Sequence, residues 1–233
     1  MGNIKGIIFD YGGTIDSHGD HWSEIIWDGY RDSGVNIDKE VFRKAYVETE
    51  REFARTPVIT PSDTFRDVML KKIASEMSYL LQWGAVDEPT AAKSTRIAAY
   101  CYGKARESVE EARPVLQYLA GKYPLVLVSN FYGNIEAVLA DFGLRGFFKT
   151  VVESAVVGVR KPDPAIFALG VKALGMDARD VLVVGDSYRK DILPARSLGC
   201  ATAWIKGKGW TPEEDAQTDP AQIQGIESLK TML

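Results

Sequence analysis

The chain has 233 residues, 45% of them hydrophobic and 26% charged, which is the balance of a globular protein with room for one large domain or a core plus a smaller companion. A formal net charge of −4 supplies no basic field for nucleic acid or an anionic membrane surface. No apolar run reaches the ~18 residues a bilayer span needs, the amino terminus does not read as a signal peptide, and two distant cysteines, Cys101 and Cys200, suit a reduced compartment, so a cytoplasmic protein is expected.

The first element is a short apolar strand, Ile4 to Phe9, closed by Asp10 and followed at once by Tyr11-Gly12-Gly13-Thr14-Ile15-Asp16. A continuous hydrophobic run reads as a buried parallel strand, and an open α/β sheet places its ligand beyond the carboxyl ends of its strands. Asp10 is therefore aimed at a pocket, and Gly12 and Gly13 let the backbone approach a ligand closely.

Past Asp16 the periodicity turns helical for about a hundred residues. His21 to Ser33 sets Trp22, Ile25, Ile26 and Tyr30 on one face ahead of Gly34, and Asp38 caps a second helix striped with Val41, Phe42, Ala45 and Tyr46. A third helix is predicted from Thr64 to Gln82, and Pro89 opens a fourth that runs to Val109. The block carries no strand pattern and reads as an antiparallel helical bundle inserted after the first strand.

Alternation of strand and helix resumes at Ala112-Arg113-Pro114, where Pro114 is predicted to start a new helix. Leu125 to Asn130, a segment near Thr150 to Val152, Val181 to Asp186 and Ala201 to Ile205 read as strands with helices between them. The prediction is an α/β fold: a Rossmann-like, doubly wound parallel sheet core made of 1–16 and 113–233, with 17–112 as an all-helical cap domain.

Three strands end in polar groups: Asp10, Ser129-Asn130, and Gly185-Asp186 with Asp191 just beyond. In a parallel sheet these ends meet on one rim. Asp10, Asp186 and Asp191 crowded together repel one another unless a positive charge sits among them, and hard carboxylate oxygens with backbone carbonyls suit Mg²⁺. Lys161 offers a point charge for a phosphate or for the nucleophile itself, and Ser129 and Asn130 offer hydrogen-bond donors.

In this order, Asp10-Tyr11-Gly12-Gly13-Thr14, Ser129-Asn130, Lys161-Pro162-Asp163-Pro164, and Gly185-Asp186-Ser187 with Asp191 resemble the haloacid dehalogenase-like hydrolase superfamily. The resemblance implies Asp10 as covalent nucleophile and Mg²⁺ held by Asp10, the Gly12 carbonyl and Asp186. It implies catalytic and phosphoryl-binding roles for Ser129 and Lys161, with Asn130 and Gly13 alongside them and Asp191 in support. A phosphatase of a small phosphorylated metabolite is the leading expectation, with an aspartyl-phosphate intermediate.

One position departs from the family's phosphatases, which carry a second Asp two residues after the nucleophile to protonate the leaving group; here it is Gly12. General acid–base help contributes about 10²–10⁴-fold, so a substitute is sought in His18, His21 or Asp16, close behind the nucleophile loop. The glycine also leaves open a 2-haloacid dehalogenase, which works without metal, and a phosphonate hydrolase, which needs a cap lysine from among Lys39, Lys44, Lys71, Lys72, Lys93 and Lys104. A regulatory phosphate-binding protein without turnover is a further alternative.

Overall fold

The computed structural model describes residues 4–233. Six strands, β1 (Gly6–Phe9), β2 (Leu125–Ser129), β3 (Phe148–Glu153), β4 (Val181–Gly185), β5 (Ala201–Ile205) and β6 (Gln222–Ile223), form one sheet in the order β3-β2-β1-β4-β5-β6. Every pairing is parallel. β1, β2 and β4 are buried along their whole length, as a sheet covered on both faces requires. Successive side chains alternate between two apolar layers: Ile7, Phe9, Leu125, Leu127, Leu182 and Val184 enter one, and Ile8, Val126, Val128, Val181 and Val183 the other.

Between β1 and β2 lie five helices and, among the described residues, no strand: α1 (Trp22–Asp32), α2 (Lys39–Arg55), α3 (Phe65–Gln82), α4 (Glu88–Ala91) and α5 (Ser94–Ala120). Their starts follow the expected chemistry. His21 accepts from the Ser23 N–H at the head of α1, Asp38 accepts from the Glu40 N–H at the head of α2, and Thr64 with Asp67 forms a reciprocal capping box on α3. α3 packs against both α2 and α5.

The structure departs from the sequence reading at α5, which runs unbroken through Pro114. Proline removes one i→i−4 hydrogen bond. Here the flanking turns compensate by burying Val109, Ala112, Val115, Leu116 and Leu119 in the main apolar layer. The division expected at residue 112 therefore falls inside a helix. The fourth helix expected from Pro89 is likewise two pieces, with Pro89 in the single turn of α4.

After β2 the chain continues with α6 (Ile135–Asp141), α7 (Ser154–Val157), α8 (Ala165–Leu174), α9 (Leu193–Ser197), α10 (Pro212–Ala216) and α11 (Leu229–Met232). α8 lies so close to the sheet that a Cβ on Gly170 would come within 2.8 Å of Val128 and 2.9 Å of Ile8. No described helix is long and apolar enough to cross a membrane.

Candidate active site

β2, β1 and β4 are neighbours and run in the same direction, so Ser129, Asp10 and Asp186 reach one rim of the sheet. The Asp10 N–H donates to the Val184 carbonyl at 2.9 Å, which extends the ladder up to the carboxylate itself. Lys161 arrives from the loop between α7 and α8, and Asn130 fixes it there. The Asn130 amide accepts from the Lys161 N–H at 2.9 Å and donates to the Lys161 carbonyl at 3.1 Å. Asn130 thus positions the lysine through its backbone.

The Lys161 ammonium is buried and stands 2.6 Å from both Asp10 Oδ1 and Asp191 Oδ1. Burial works against its charge, but the two carboxylates outweigh that and hold Lys161 above the ordinary lysine range. Asp191 sits in a π-helical turn, Tyr188–Ile192, with its other oxygen accepting from the Ser187 N–H at 3.0 Å. Burial pushes its carboxyl up to about 6 in spite of the lysine.

Carboxylate oxygens of Asp10, Asp186 and Asp191 lie within 4.8 Å of one another, the one such acidic cluster of metal-ligand size among the described residues. Three carboxylates share one lysine, and that lysine serves Asp10 and Asp191. Asp186 has a hydroxyl partner instead, Thr14 Oγ1 at 2.9 Å. Burial and then the neighbouring Asp10 and Asp191 raise its carboxyl well above the carboxylate range. A hard cation satisfies this set: the oxygens are already gathered, and it supplies the charge Asp186 lacks.

The sequence reading assigned no role to Thr14, whose hydroxyl also reaches Asp10 Oδ2 at 3.3 Å. It also missed Trp204, whose indole N–H donates to the Asp186 carbonyl at 2.6 Å. Glu153, at the end of β3, accepts from the Gly133 N–H at 2.6 Å and orders the loop after Asn130. A hydroxyl in the nucleophile turn was a readable signal; the indole and the glutamate act across the sheet and left no local trace.

The two glycines after Asp10 differ. Gly13 has φ +95, and a Cβ there would collide with the Asp186 carboxylate, whereas a Cβ on Gly12 meets nothing within 4 Å. The Gly13 N–H is spent on Asp16 Oδ1 at 2.7 Å and its carbonyl on the Gly19 N–H at 2.7 Å, so this residue shapes the turn and has no free donor for a ligand.

None of the three acid/base candidates hydrogen-bonds Asp10, whose side chain meets Thr14 and Lys161. His18 is exposed, with φ 54, and its Nε2 lies 3.6 Å from Glu111. His21 caps α1 and packs its ring on Trp210 at 5.2 Å; burial, then Lys190 and Lys72, lowers its pKa to about 3. Asp16 is fully buried, bridging the Gly13 N–H and the Trp22 indole, and burial raises it to about 7. Of the six lysines considered for Schiff-base chemistry only Lys72 is buried.

The haloacid dehalogenase-like hydrolase family model matches residues 4–199. Over 82 residues the chain is 39% identical to a glyceraldehyde 3-phosphate phosphatase of Methanocaldococcus jannaschii, covering 35% of this chain and 36% of that protein. Over 125 residues it is 30% identical to (S)-2-haloacid dehalogenase 2 of a Pseudomonas species, covering 53% of this chain and 54% of that protein. These matches span between about a third and about half of the relatives' own length. The fold is similar to that of the magnesium-bound HAD-hydrolase YfnB from Bacillus subtilis, with TM-score 0.62 and 20% identity over 99% of both chains. With the ordered rim of Asp10, Ser129, Lys161 and Asp186 on a doubly wound parallel sheet, and a family match over most of its length, the chain belongs to the haloacid dehalogenase-like hydrolase family.

Proposed function

We propose that this hydrolase is a Mg²⁺-dependent phosphatase of a small phosphorylated metabolite, working through an aspartyl-phosphate on Asp10. The observation that carries the reading is the excess of gathered carboxylates, Asp10, Asp186 and Asp191, over the single ammonium of Lys161. Asp10, the Gly12 carbonyl and Asp186 would hold the ion, which when bound supplies charge stabilisation for a transferring phosphoryl group.

Asp10 attacks phosphorus, and the bond to the leaving-group oxygen breaks with its electron pair departing on that oxygen. Water then attacks the same phosphorus, the bond to Asp10 breaks, and the carboxylate is restored as phosphate leaves. Lys161 and Ser129 meet the phosphoryl oxygens, and Asp191 keeps Lys161 charged and in place. Asn130 serves by holding the lysine backbone. Residues 17–112 act as a cap that closes over the rim and carries specificity.

No carboxylate at Gly12 protonates the leaving group, so acyl or aryl phosphates, whose leaving groups need little protonation, are the favoured substrates. Gly12 also supports a second reading, 2-haloacid dehalogenation, in which Asp10 displaces halide without metal. The phosphonate route has no comparable support: it needs a neutral amine, while Lys72 is held as an ammonium by Glu50.

The test is phosphate release from an aryl phosphate with Mg²⁺ or with a chelator, using Asp10→Asn as the blank. Mg²⁺-dependent release abolished in the blank is expected. Metal-independent halide release from 2-chloropropanoate would replace the phosphatase reading with the dehalogenase one. Phosphate binding with neither turnover nor a burst would replace both with a regulatory role.

A further inference from the structure

Apart from the rim, the described residues bury a second lysine in a charged cluster with no assigned work. Lys72, on α3, is 3% exposed, and its ammonium pairs with the Glu50 carboxylate of α2. The face of Tyr46 lies 4.4 Å from the same nitrogen. The Tyr132 hydroxyl donates to Glu50 at 3.0 and 3.2 Å, tying this group to the loop that begins at Asn130.

Its position is informative. Tyr132 lies two residues past Asn130, the residue that grips Lys161. Phe131, between them, packs its ring on Tyr11 at 5.8 Å, directly after the nucleophile. Two adjacent rings thus join the Lys72 group to the loop that carries Asn130 and to the residue next to the nucleophile, and on the phosphatase reading this is the side from which the leaving group of a substrate would be met.

A buried ammonium is costly unless its donors are met. It has three N–H donors, and among the described residues its one hydrogen bond goes to Glu50. Glu76, one turn further along α3, is a weaker partner: burial raises its carboxyl to about 8, against the pull of Lys72 and Tyr30. Glu50 is thus the carboxylate paired with Lys72, and its side chain is 35% exposed, so it has a solvent-facing side while Lys72 has none. An incoming carboxylate can take its place with no change in buried charge.

Resting on the phosphatase reading of the Asp10 site, we propose that Lys72 is the specificity residue that binds a carboxylate on the leaving group, exchanging Glu50 for it, so that the preferred substrates are acyl or aryl phosphates whose leaving group carries a carboxylate. Tyr132, released from Glu50, offers the second donor to the same group. The phosphoryl end is then held by Lys161 and Ser129, and the acid end by Lys72.

The experiment compares carboxyaryl phosphates with the parent aryl phosphates, in wild type, Lys72→Met and Lys72→Arg. It reads both phosphate release and calorimetric affinity. A charge-assisted hydrogen bond contributes about 1.5–3 kcal/mol, or roughly tenfold or more. Lys72→Met is expected to weaken the carboxyaryl series by about that factor in KM and Kd while moving the parent aryl series less than about twofold, and Lys72→Arg is expected to recover part of the loss. Equal shifts in both series, or none, with thermal melts reporting folded protein, would overturn the inference and assign Lys72 to packing. Should wild type hydrolyse neither series, the phosphatase reading fails by itself, and the calorimetric comparison still decides whether Lys72 reads a carboxylate.

Discussion

Gly13 backs onto Asp186 so tightly that a Cβ on residue 13 would overlap the carboxylate oxygens. Its φ of +95 is also one that side chains rarely adopt. Gly13→Ala is therefore expected to displace Asp186 as well as strain the turn, costing about 1–3 kcal/mol. Chemical denaturation should report that loss, and phosphate release should fall further than stability alone explains.

Gly12 is the opposite case. A Cβ there meets nothing within 4 Å, and its φ is not in the left-handed region, so Gly12→Asp can be made without straining the turn. Wild type is expected to give a stoichiometric burst on rapid mixing with an aryl phosphate and then a slow steady state, because hydrolysis of the aspartyl-phosphate lacks its base. Gly12→Asp should raise the steady-state rate toward the 10²–10⁴-fold typical of general acid–base help, and most for alkyl phosphates. A steady-state rate that does not move would mean that another group already performs the proton transfer.

Lys161 is the sole cation paired with both Asp10 and Asp191 in the described residues. Lys161→Met leaves two carboxylates facing each other without it, a loss of about 3–5 kcal/mol for a broken buried pair. Turnover should vanish. Added Mg²⁺ should recover part of the melting temperature, as a cation that binds the folded state does.

Glu76 ties stability to pH. Burial raises its folded pKa from 4.5 to about 8, so between those values the unfolded chain releases a proton that the folded chain keeps. Stability should fall as pH rises from about 4.5 to about 8 and level off above it, by at most a few kcal/mol. Glu76→Gln should make that slope shallower in urea titrations taken at several pH values, most clearly between about pH 7 and 8, because Asp16 and Asp191 contribute slopes of the same sign at lower pH.

His21 has its pKa lowered to about 3, chiefly by burial, and its ring nitrogen accepts from the Ser23 N–H. It is neutral across the working range. His18→Ala with His21→Ala is expected to leave the pH–rate profile unmoved while costing roughly 1 kcal/mol for the lost helix cap. A lost or shifted limb of the profile would restore the histidine acid/base reading.

What the chain alone determined is local or ordered along it. Alternating apolar runs that each end in Asp10, Ser129 or Asp186 specify parallel strands and their shared rim, because a buried strand must be apolar throughout and the first polar residue marks its end. Helix starts at Asp38 and Thr64 were legible because a cap is a contact within four residues. Pro114 misled, since local propensity yields to a long buried face. β6 escaped notice because a two-residue edge strand has no period. Only the tertiary structure decided that Asn130 grips Lys161, that Trp204 holds Asp186, that Gly12 is open while Gly13 is blocked, and that Lys72 is the buried lysine among six. These are contacts between residues far apart in the chain, and burial and charge at such places are properties of the packed space around a side chain.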